Sequence, residues 1–318
     1  MLNRLKEKAL ENIKLSRDEL LEVAAAPLTE LIDAAADITA HCASRRFNLC
    51  AIINAKSGRC SENCRWCAQS RHYPTHAATY PLLPLQTVLQ SALNAQAHGI
   101  SRFSIVTSGR KLSPREVREV ADLVRELKSR TELEICISAG LLTEKEFSLL
   151  AQAGVARCHC NLEASERFFP QVCSSHSTQD KIRSLQAAKR AGLELCSGGI
   201  IGMGETREDR IDLAMTLRKL DIPSIPINIL EPIAGTPLAD TPPLPEEEIL
   251  RTIAVFRFAN PKAFLRFAGG RRRLSESATR LALKAGINSA IAGDMLTTEG
   301  ADPIRERGWI KDGGYQLD

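Results

Sequence analysis

The sequence predicts an α/β fold, a (β/α)8 barrel of the TIM type with an N-terminal helical extension, on two observations. From about residue 47 onward, short apolar runs alternate with longer amphipathic segments, and strand and helix in repetition produce a parallel sheet. Eight such runs fit into roughly 250 residues, the usual size of a closed (β/α)8 barrel. The predicted strands begin at Asn48, Arg102, Leu133, Ala156, Leu193, Ser224, Ala263 and Ile287.

Helix boundaries between these runs support the alternation. Ser113, followed by Pro114 and Glu116, has the pattern of a capping box with proline at the first helical position. Thr143 and Glu146 repeat the capping box before the next helix. Glycines stand where the predicted helices end and permit left-handed C-caps. They are Gly99, Gly154, Gly192 and Gly286.

The same pattern divides the chain into three parts. Residues 1–45 predict a helical extension of two helices, interrupted near Pro27 and packed across the bottom of the barrel. The barrel is expected to cover residues 46–300, and residues 301–318 to form a C-terminal tail. No change of composition indicates a linker or a second domain.

An open doubly wound sheet is the main alternative architecture. Such a fold has a G-x-G-x-x-G turn after an early strand. The nearest match, Gly202-Met203-Gly204, follows the fifth predicted strand, and Arg207 stands where the third glycine belongs. The barrel is therefore the favoured fold.

The composition argues against several classes of function. The 318 residues include 42 basic and 38 acidic side chains, for a net charge of +4. Both signs are mixed along the chain and aromatic residues make up only 4%, so a nucleic-acid surface is not expected. No run approaches the roughly 20 apolar residues of a membrane helix, and no signal peptide is evident. We therefore expect a cytoplasmic protein with no membrane partner.

Ten cysteines are the unusual feature of the composition. A cytoplasmic chain rarely keeps so many as disulfides, so metal binding by thiolates or burial as small hydrophobes must explain them. Cys60, Cys64 and Cys67 form a C-x3-C-x2-C triplet directly after the first strand. Three thiolates on one loop can hold three irons of a [4Fe-4S] cluster and leave the fourth iron open to a small-molecule chelate. A structural zinc site is the alternative, but it usually needs a fourth ligand.

This triplet, with Trp66 before its last cysteine, resembles the radical S-adenosylmethionine (SAM) superfamily. The resemblance implies that SAM chelates the open iron and is split by one electron to a 5′-deoxyadenosyl radical, which abstracts hydrogen from C–H bonds. Gly198, Gly202 and Glu205 resemble the superfamily's SAM-contacting G-x-I-x-G-x-x-E stretch. A glycine-rich strand end is the alternative interpretation of that stretch.

Longer segments resemble the biotin synthase family. They are Leu195–Thr206, Pro226–Asn228, Gly235–Asp240 and Arg266–Gly269, within a resemblance from about Leu20 to about Thr298. The family implies a homodimeric radical SAM sulfurtransferase that forms the thiophane ring of biotin from dethiobiotin, the last step of biotin biosynthesis. It also implies two SAM per product, an electron donor such as flavodoxin or ferredoxin, and an auxiliary cluster that supplies sulfur.

In the familiar form the auxiliary cluster is [2Fe-2S], held by three cysteines and an arginine. Cys136, Cys196 and Arg266 match three of these positions, but Ser104 occupies the fourth. A hydroxyl is a poorer ligand for sulfide-rich iron than a thiolate. The resemblance therefore implies an altered auxiliary cluster, either [2Fe-2S] or larger.

Extra cysteines are candidates for the missing ligand. Cys160 is one, although strand alternation turns it away from the barrel interior unless a bulge intervenes. Cys158 and Cys173 rank below it, and Cys42 and Cys50 are expected to be small buried hydrophobes.

The remaining site residues follow from the family resemblance. His159, Asn161 and Asn228 match substrate-facing positions, and an amide suits the ureido ring because it both donates and accepts. Glu163 stands where an aspartate usually contacts the SAM ribose, and His176 replaces an arginine expected near the SAM carboxylate. Two other readings stay open: a related radical SAM barrel with another substrate, and a zinc- or iron-binding carrier without turnover.

Overall fold

The computed structural model describes residues 1–293 and 303–317. Ten strands are present there: β1 (Arg46–Lys56), β2 (Arg102–Thr107), β3 (Glu134–Ser138), β4 (Val155–His159), β5 (Glu194–Cys196), β6 (Gly199–Ile201), β7 (Ser224–Ile229), β8 (Phe264–Phe267), β9 (Ile287–Ile291) and β10 (Gln316–Leu317). The helices are α1 (Leu2–Leu10), α2 (Arg17–Ala25), α3 (Leu28–Cys42), α4 (Leu85–Ala97), α5 (Pro114–Arg130), α6 (Glu144–Ala153), α7 (Phe169–Val172), α8 (Thr178–Arg190), α9 (Arg207–Lys219), α10 (Glu246–Ala259), α11 (Glu276–Ala285) and α12 (Pro303–Asp312). None of the helices in the described ranges is long and apolar enough to cross a bilayer.

The strands close into a parallel barrel. Their order is β1, β2, β3, β4, β5, β7, β8, β9, and β9 pairs back with β1. The predicted (β/α)8 fold is confirmed. The predicted fifth strand is two short strands, β5 and β6, because the backbone breaks at Ser197 and Gly198. A Cβ atom on Gly198 would lie 1.8 Å from the Pro226 carbonyl oxygen, so only glycine permits this close approach.

The predicted helix caps are present. Ser113 Oγ accepts a hydrogen bond from the Glu116 amide at 3.3 Å, and the Glu116 carboxylate accepts one from the Ser113 amide at 2.8 Å. The Thr143 amide donates to Glu146 at 2.7 Å. Gly154 ends α6 in the left-handed conformation. These caps stop and start the outer helices so that the polypeptide can return to the next strand.

The N-terminal extension contains three helices rather than two. The break at Pro27 is present, but a second break follows α1, and Ser16 caps α2. The three helices pack against α9, α10 and α11. Arg251 in α10 donates to the Ala24 carbonyl at 2.9 Å, and Arg218 in α9 donates to the Leu15 carbonyl at 2.9 Å. The extension therefore covers the flank of the barrel, not its bottom as expected.

The C-terminal segment lies at the start of β1. Strand β10 pairs with β1 through Arg46 and Gln316, and Tyr315 packs edge-on against Phe47 with ring centroids 5.6 Å apart. The expected domain boundary at residue 300, and the end of the family resemblance at Thr298, lie outside the described residues.

Candidate active site

A cavity of about 340 Å³ lies inside the barrel. Strand β4 and the segment that continues it span the depth of the cavity, since Arg157, His159, Asn161 and Glu163 all line it at two-residue spacing. The mouth is at the carboxyl ends of the strands, where Cys67 closes one side. The cavity thus joins a rim, formed by the loop after β1, to a floor deep in the barrel.

The rim loop carries the predicted cubane ligands. The Cys60 amide donates to the Gln69 carbonyl at 3.0 Å, and the Cys60 carbonyl accepts from the Arg71 amide at 2.9 Å. The Cys67 amide donates to the Cys64 carbonyl at 3.0 Å. All three thiols are partly exposed. The loop is therefore folded on itself with three partly exposed thiols, of which Cys67 lines the cavity.

Cys173 lies beside this loop rather than near the floor. Its Sγ is 3.7 Å from Cys64 Sγ and 3.4 Å from His176 Nδ1. Ligand atoms of Cys64, Cys173 and His176 lie within 4.8 Å of one another. Glu62 accepts a hydrogen bond from His176 Nδ1 at 2.7 Å. The structure thus brings His176 to the rim, next to Cys173 and Glu62.

Strand alternation on β4 holds as predicted. His159, Asn161 and Glu163 face the cavity. Cys158 and Cys160 belong instead to the hydrophobic core outside it. No bulge brings Cys160 inward, so the structure does not place this thiol at the auxiliary site.

Glu163 has an unused hydrogen-bonding atom. Its backbone lies in the left-handed region at φ 72°, and burial raises the pKa of its carboxyl group. In the described part of the chain, its buried Oε2 atom has no hydrogen-bond partner. An unpaired buried acceptor on a cavity wall suits a ligand hydroxyl, because that contact would remove the cost of its desolvation.

Glu205 engages the glycine-rich turn. Its two carboxylate oxygens accept from the amides of Gly202 at 2.8 Å and Met203 at 2.7 Å, and Arg210 donates to it at 2.9 Å. The carboxylate therefore fixes this turn.

Asn161 and Asn228 both line the cavity, and each bonds to the backbone at the break in the fifth strand. Asn161 Oδ1 accepts from the Gly198 amide at 2.9 Å. Asn228 Oδ1 accepts from the Gly269 amide at 2.9 Å, and its Nδ2 donates to the Gly199 carbonyl at 3.1 Å. These bonds fix both amide groups while leaving further donor and acceptor capacity for a ligand.

Side chains that point into a (β/α)8 barrel form layers, each taken from alternate strands. Because the strands of an eight-stranded barrel of shear 8 are tilted, paired residues on neighbouring strands do not lie at the same height along the barrel axis. The residue at equal height on the next strand is the one that follows the paired residue. Following the observed pairings from Cys50 leads through Cys136, Cys196 and Arg266 and back to Cys50. These four side chains form one layer, from the first, third, fifth and seventh barrel strands.

The floor layer is electrostatically suited to a thiolate at Cys196. Arg266 donates to Asn48 Oδ1 at 2.6 Å and to the Ala290 carbonyl at 3.0 Å. His159 Nδ1 lies 3.4 Å from Cys196 Sγ. Although burial raises it, nearby His159, Arg266 and Arg157 lower the pKa of Cys196 to about 6. Ser104 belongs to the next layer toward the mouth, together with His159.

Two floor residues escaped the sequence interpretation. Cys50 is predicted to be a simple buried hydrophobe, yet it lines the cavity in the same layer as Cys136. Arg157 also lines the cavity. Alternation from His159 would have found Arg157. Placing Cys50 on the floor requires knowledge of how the barrel closes, and only the strand pairings give that.

The rim loop with Cys60, Cys64 and Cys67, at the mouth of a closed parallel barrel, defines a radical SAM enzyme. Residues 55–217 match the family model of the Radical SAM superfamily. Residues 226–316 match the Biotin and Thiamin Synthesis associated domain. The chain is 47% identical over 300 residues to a biotin synthase of Porphyromonas gingivalis, covering 94% of this chain and 91% of that protein. It is 48% identical over 314 residues to biotin synthase 2 of Corynebacterium diphtheriae, covering 98% and 95%. The chain belongs to the biotin synthase family.

A solved structure confirms the architecture. Methylornithine synthase superimposes with a TM-score of 0.83 at 18% identity, covering 99% of this chain and 97% of that chain. At this identity the similarity shows the fold alone.

Proposed function

We propose that the chain inserts sulfur into dethiobiotin to form biotin, using two SAM per product. The observation that carries the proposal is the cavity that runs from Cys67 of the rim loop, past Asn161 and Asn228, to a layer of buried thiols and an arginine. A radical generated at the rim and a sulfur source on the floor need such a shared chamber. A zinc-binding carrier would need no chamber of this kind.

At the rim, Cys60, Cys64 and Cys67 would hold the [4Fe-4S] cluster, since three partly exposed thiols on one loop match three of its irons. When bound, this cluster and SAM would supply the radical that abstracts hydrogen. Glu163 would accept a hydrogen bond from the SAM ribose through its unpaired Oε2 atom. His176 would lie near the SAM carboxylate at the rim.

Gly198 and Gly202 would shape the backbone beside SAM. Gly198 sits where the fifth strand breaks, with its amide bonded to Asn161 Oδ1 and its carbonyl to the Glu163 amide. Gly202 has φ 93° in the turn that Glu205 fixes. Glu205 would support SAM binding indirectly.

Between the two ends, Asn161 and Asn228 would bind the ureido ring of dethiobiotin. Asn161 is held by one main-chain partner and Asn228 by two, so the remaining hydrogen-bonding capacity of both amides is oriented before substrate arrives. His159 lies one layer above the floor and would orient the substrate toward it. Fixed, uncharged donors and acceptors suit a neutral ring.

On the floor, Cys136, Cys196 and Arg266 would hold the auxiliary cluster. Their common height in the barrel and the low pKa of Cys196 favour thiolate ligation of iron. Ser104 is a weak candidate for a further ligand, because its oxygen is hard and its layer is higher. The nuclearity of the cluster, [2Fe-2S] or larger, follows from the number of irons bound.

The partners are part of the same proposal. A low-potential flavodoxin or ferredoxin would supply electrons, and the chain would form a homodimer in the cytoplasm. Ten free thiols in the described part suit a reducing compartment. Sedimentation of the purified protein at several concentrations tests the dimer.

The activity is tested by anaerobic incubation of reconstituted protein with SAM, a reductant and dethiobiotin, followed by mass spectrometry. We expect biotin together with two 5′-deoxyadenosines. Deoxyadenosine without biotin, with both clusters present by iron count, would favour a related radical SAM enzyme with another substrate. Colourless protein without deoxyadenosine would favour a zinc-binding carrier.

A further inference from the structure

Cys50 lies in the only position of the floor layer to which the family resemblance assigns no ligand. Strand β1 contributes one inward side chain at this height, and that side chain is Cys50. It is 8% exposed, compared with 3% for Cys136 and 6% for Cys196. All three therefore lie in the same buried, cavity-lining environment. A simple core cysteine on this strand would face the outer helices instead.

The chemical surroundings of Cys50 match those of its layer. Its side chain lines the same cavity as Cys136, Cys196 and Arg266, the other members of the layer. The Cys50 thiol donates only to the carbonyl of the next residue, Ala51, at 3.4 Å in the described structure. Neighbouring thiols next to an arginine form a soft donor set with compensating positive charge, which suits an anionic iron–sulfide cluster.

Ser104 fits this donor set less well. It comes from the second barrel strand, so its inward side chain lies between the layers formed by the odd strands. Its residue type supplies a hard oxygen rather than a thiolate. The thiol at position 50 can therefore replace the one that is missing at position 104.

Resting on the proposed function, we propose that Cys50 is the third thiolate ligand of the auxiliary cluster. Together with Cys136, Cys196 and Arg266 it completes a set of four protein ligands from one barrel layer, and Ser104 is not a ligand. The Cys50 thiol loses its proton when iron binds. No residue outside the layer is then required.

The test starts from a full-length variant in which Cys60, Cys64 and Cys67 are replaced by alanine, so that only floor iron is counted. Cys50→Ala is added to this parent, and iron and sulfide per chain are measured after anaerobic reconstitution. We expect at least an approximately tenfold loss of bound iron, because even residues behind a metal ligand change affinity by about 10- to 100-fold.

Matched variants separate ligation from packing. Cys158→Ala removes an equally buried thiol at the same height whose side chain faces outward, and it should keep all floor iron. Ser104→Ala should keep it as well. Cys50→Ser, which preserves size, should retain a folded chain by circular dichroism and shift the sulfur-to-iron absorption bands to shorter wavelength, because oxygen replaces one thiolate.

The outcomes distinguish this inference from the proposed function. Full iron and an unchanged spectrum in Cys50→Ala, with loss of iron in Cys136→Ala, would overturn the role of Cys50 while leaving the auxiliary cluster in place. Loss of iron in Ser104→Ala but not in Cys50→Ala would also overturn it. A parent variant that binds no floor iron would overturn both the inference and the auxiliary cluster.

Discussion

The rim and the floor of the cavity are both rich in thiols, but they are built in opposite ways. At the rim, Cys60, Cys64 and Cys67 lie within one loop that is folded by its own main-chain hydrogen bonds. On the floor, Cys50 and Arg266 lie near opposite ends of the barrel sequence and meet only because β9 pairs with β1. The first site is local in sequence, whereas the second is a product of barrel closure.

The two sites therefore depend on different features of the sequence and the fold. A loop motif requires only the right spacing of its residues, so the three rim cysteines stay close together even if the barrel changes. A layer requires the correct pairing of every strand, because a slip of one residue moves a side chain to the other face. The floor is therefore the more demanding site, and it is also the more protected from solvent.

The largest expected effect follows from removing the rim alone. With Cys60, Cys64 and Cys67 all replaced by alanine, we expect deoxyadenosine formation to fall to the level without enzyme, because no protein ligand for the cubane remains. Iron bound by the floor should persist, since no floor residue is changed. Mass spectrometry of the nucleoside and iron analysis measure the two effects. Continued reductive cleavage of SAM would contradict the assignment of the rim.

The fold was predictable wherever periodicity determines it. The eight barrel segments were found because apolar runs and capped helices alternate, and capping at Ser113 and Thr143 is decided by a few neighbouring residues. The break between β5 and β6 was not, because it depends on the contact of Gly198 with a carbonyl on β7. The pairing of β10 with β1 covers only two residues and leaves no periodic pattern.

The site was predictable to the same extent. The orientation of His159, Asn161 and Glu163 follows from alternation along one strand. The engagement of Glu205 with the turn and the meeting of Cys173 with Cys64 are contacts between distant side chains. No single segment of sequence encodes such contacts, so only the folded chain reveals them.

Metal removal should distinguish the two regions by rate. The rim thiols are partly exposed and the floor thiols are buried, so a chelator reaches the rim by a smaller local opening. Under anaerobic conditions we expect two phases of iron release, the faster by at least about tenfold, since a tenfold rate needs only about 1.4 kcal/mol. The rim alanine variant should lack the fast phase. A single phase in the intact protein would contradict the comparison.

A change behind the floor should have a smaller effect. Asn48 accepts from Arg266 through both its side-chain and main-chain oxygens, so Asn48→Ala removes one of the contacts that orient the guanidinium. We expect about tenfold weaker retention of floor iron, with deoxyadenosine formation unchanged. Asn48→Asp, which keeps an oxygen at this position, should restore most of it, and Asn54→Ala on the same strand is the control. Equal iron loss in both asparagine-to-alanine variants would indicate a general effect on β1.

The smallest expected effect is at the rim, where a side chain supports the loop. Glu62 accepts from His176 at 2.7 Å and from Ser175 at 2.8 Å, and it pairs with Arg110 at 3.2 Å. Glu62→Gln keeps the shape but loses the charge, and a charge-assisted bond exceeds a neutral one by about 1 kcal/mol.

We therefore expect the KM for SAM to rise about fivefold in Glu62→Gln, with both clusters retained and kcat little changed. Glu119→Gln removes the carboxylate of an exposed pair with Arg115 and should leave KM unaltered. Steady-state formation of deoxyadenosine at varied SAM measures both variants. If Glu62→Gln instead lost rim iron, the carboxylate would be needed to fold the cubane loop, and the rim would depend on distant contacts as the floor does.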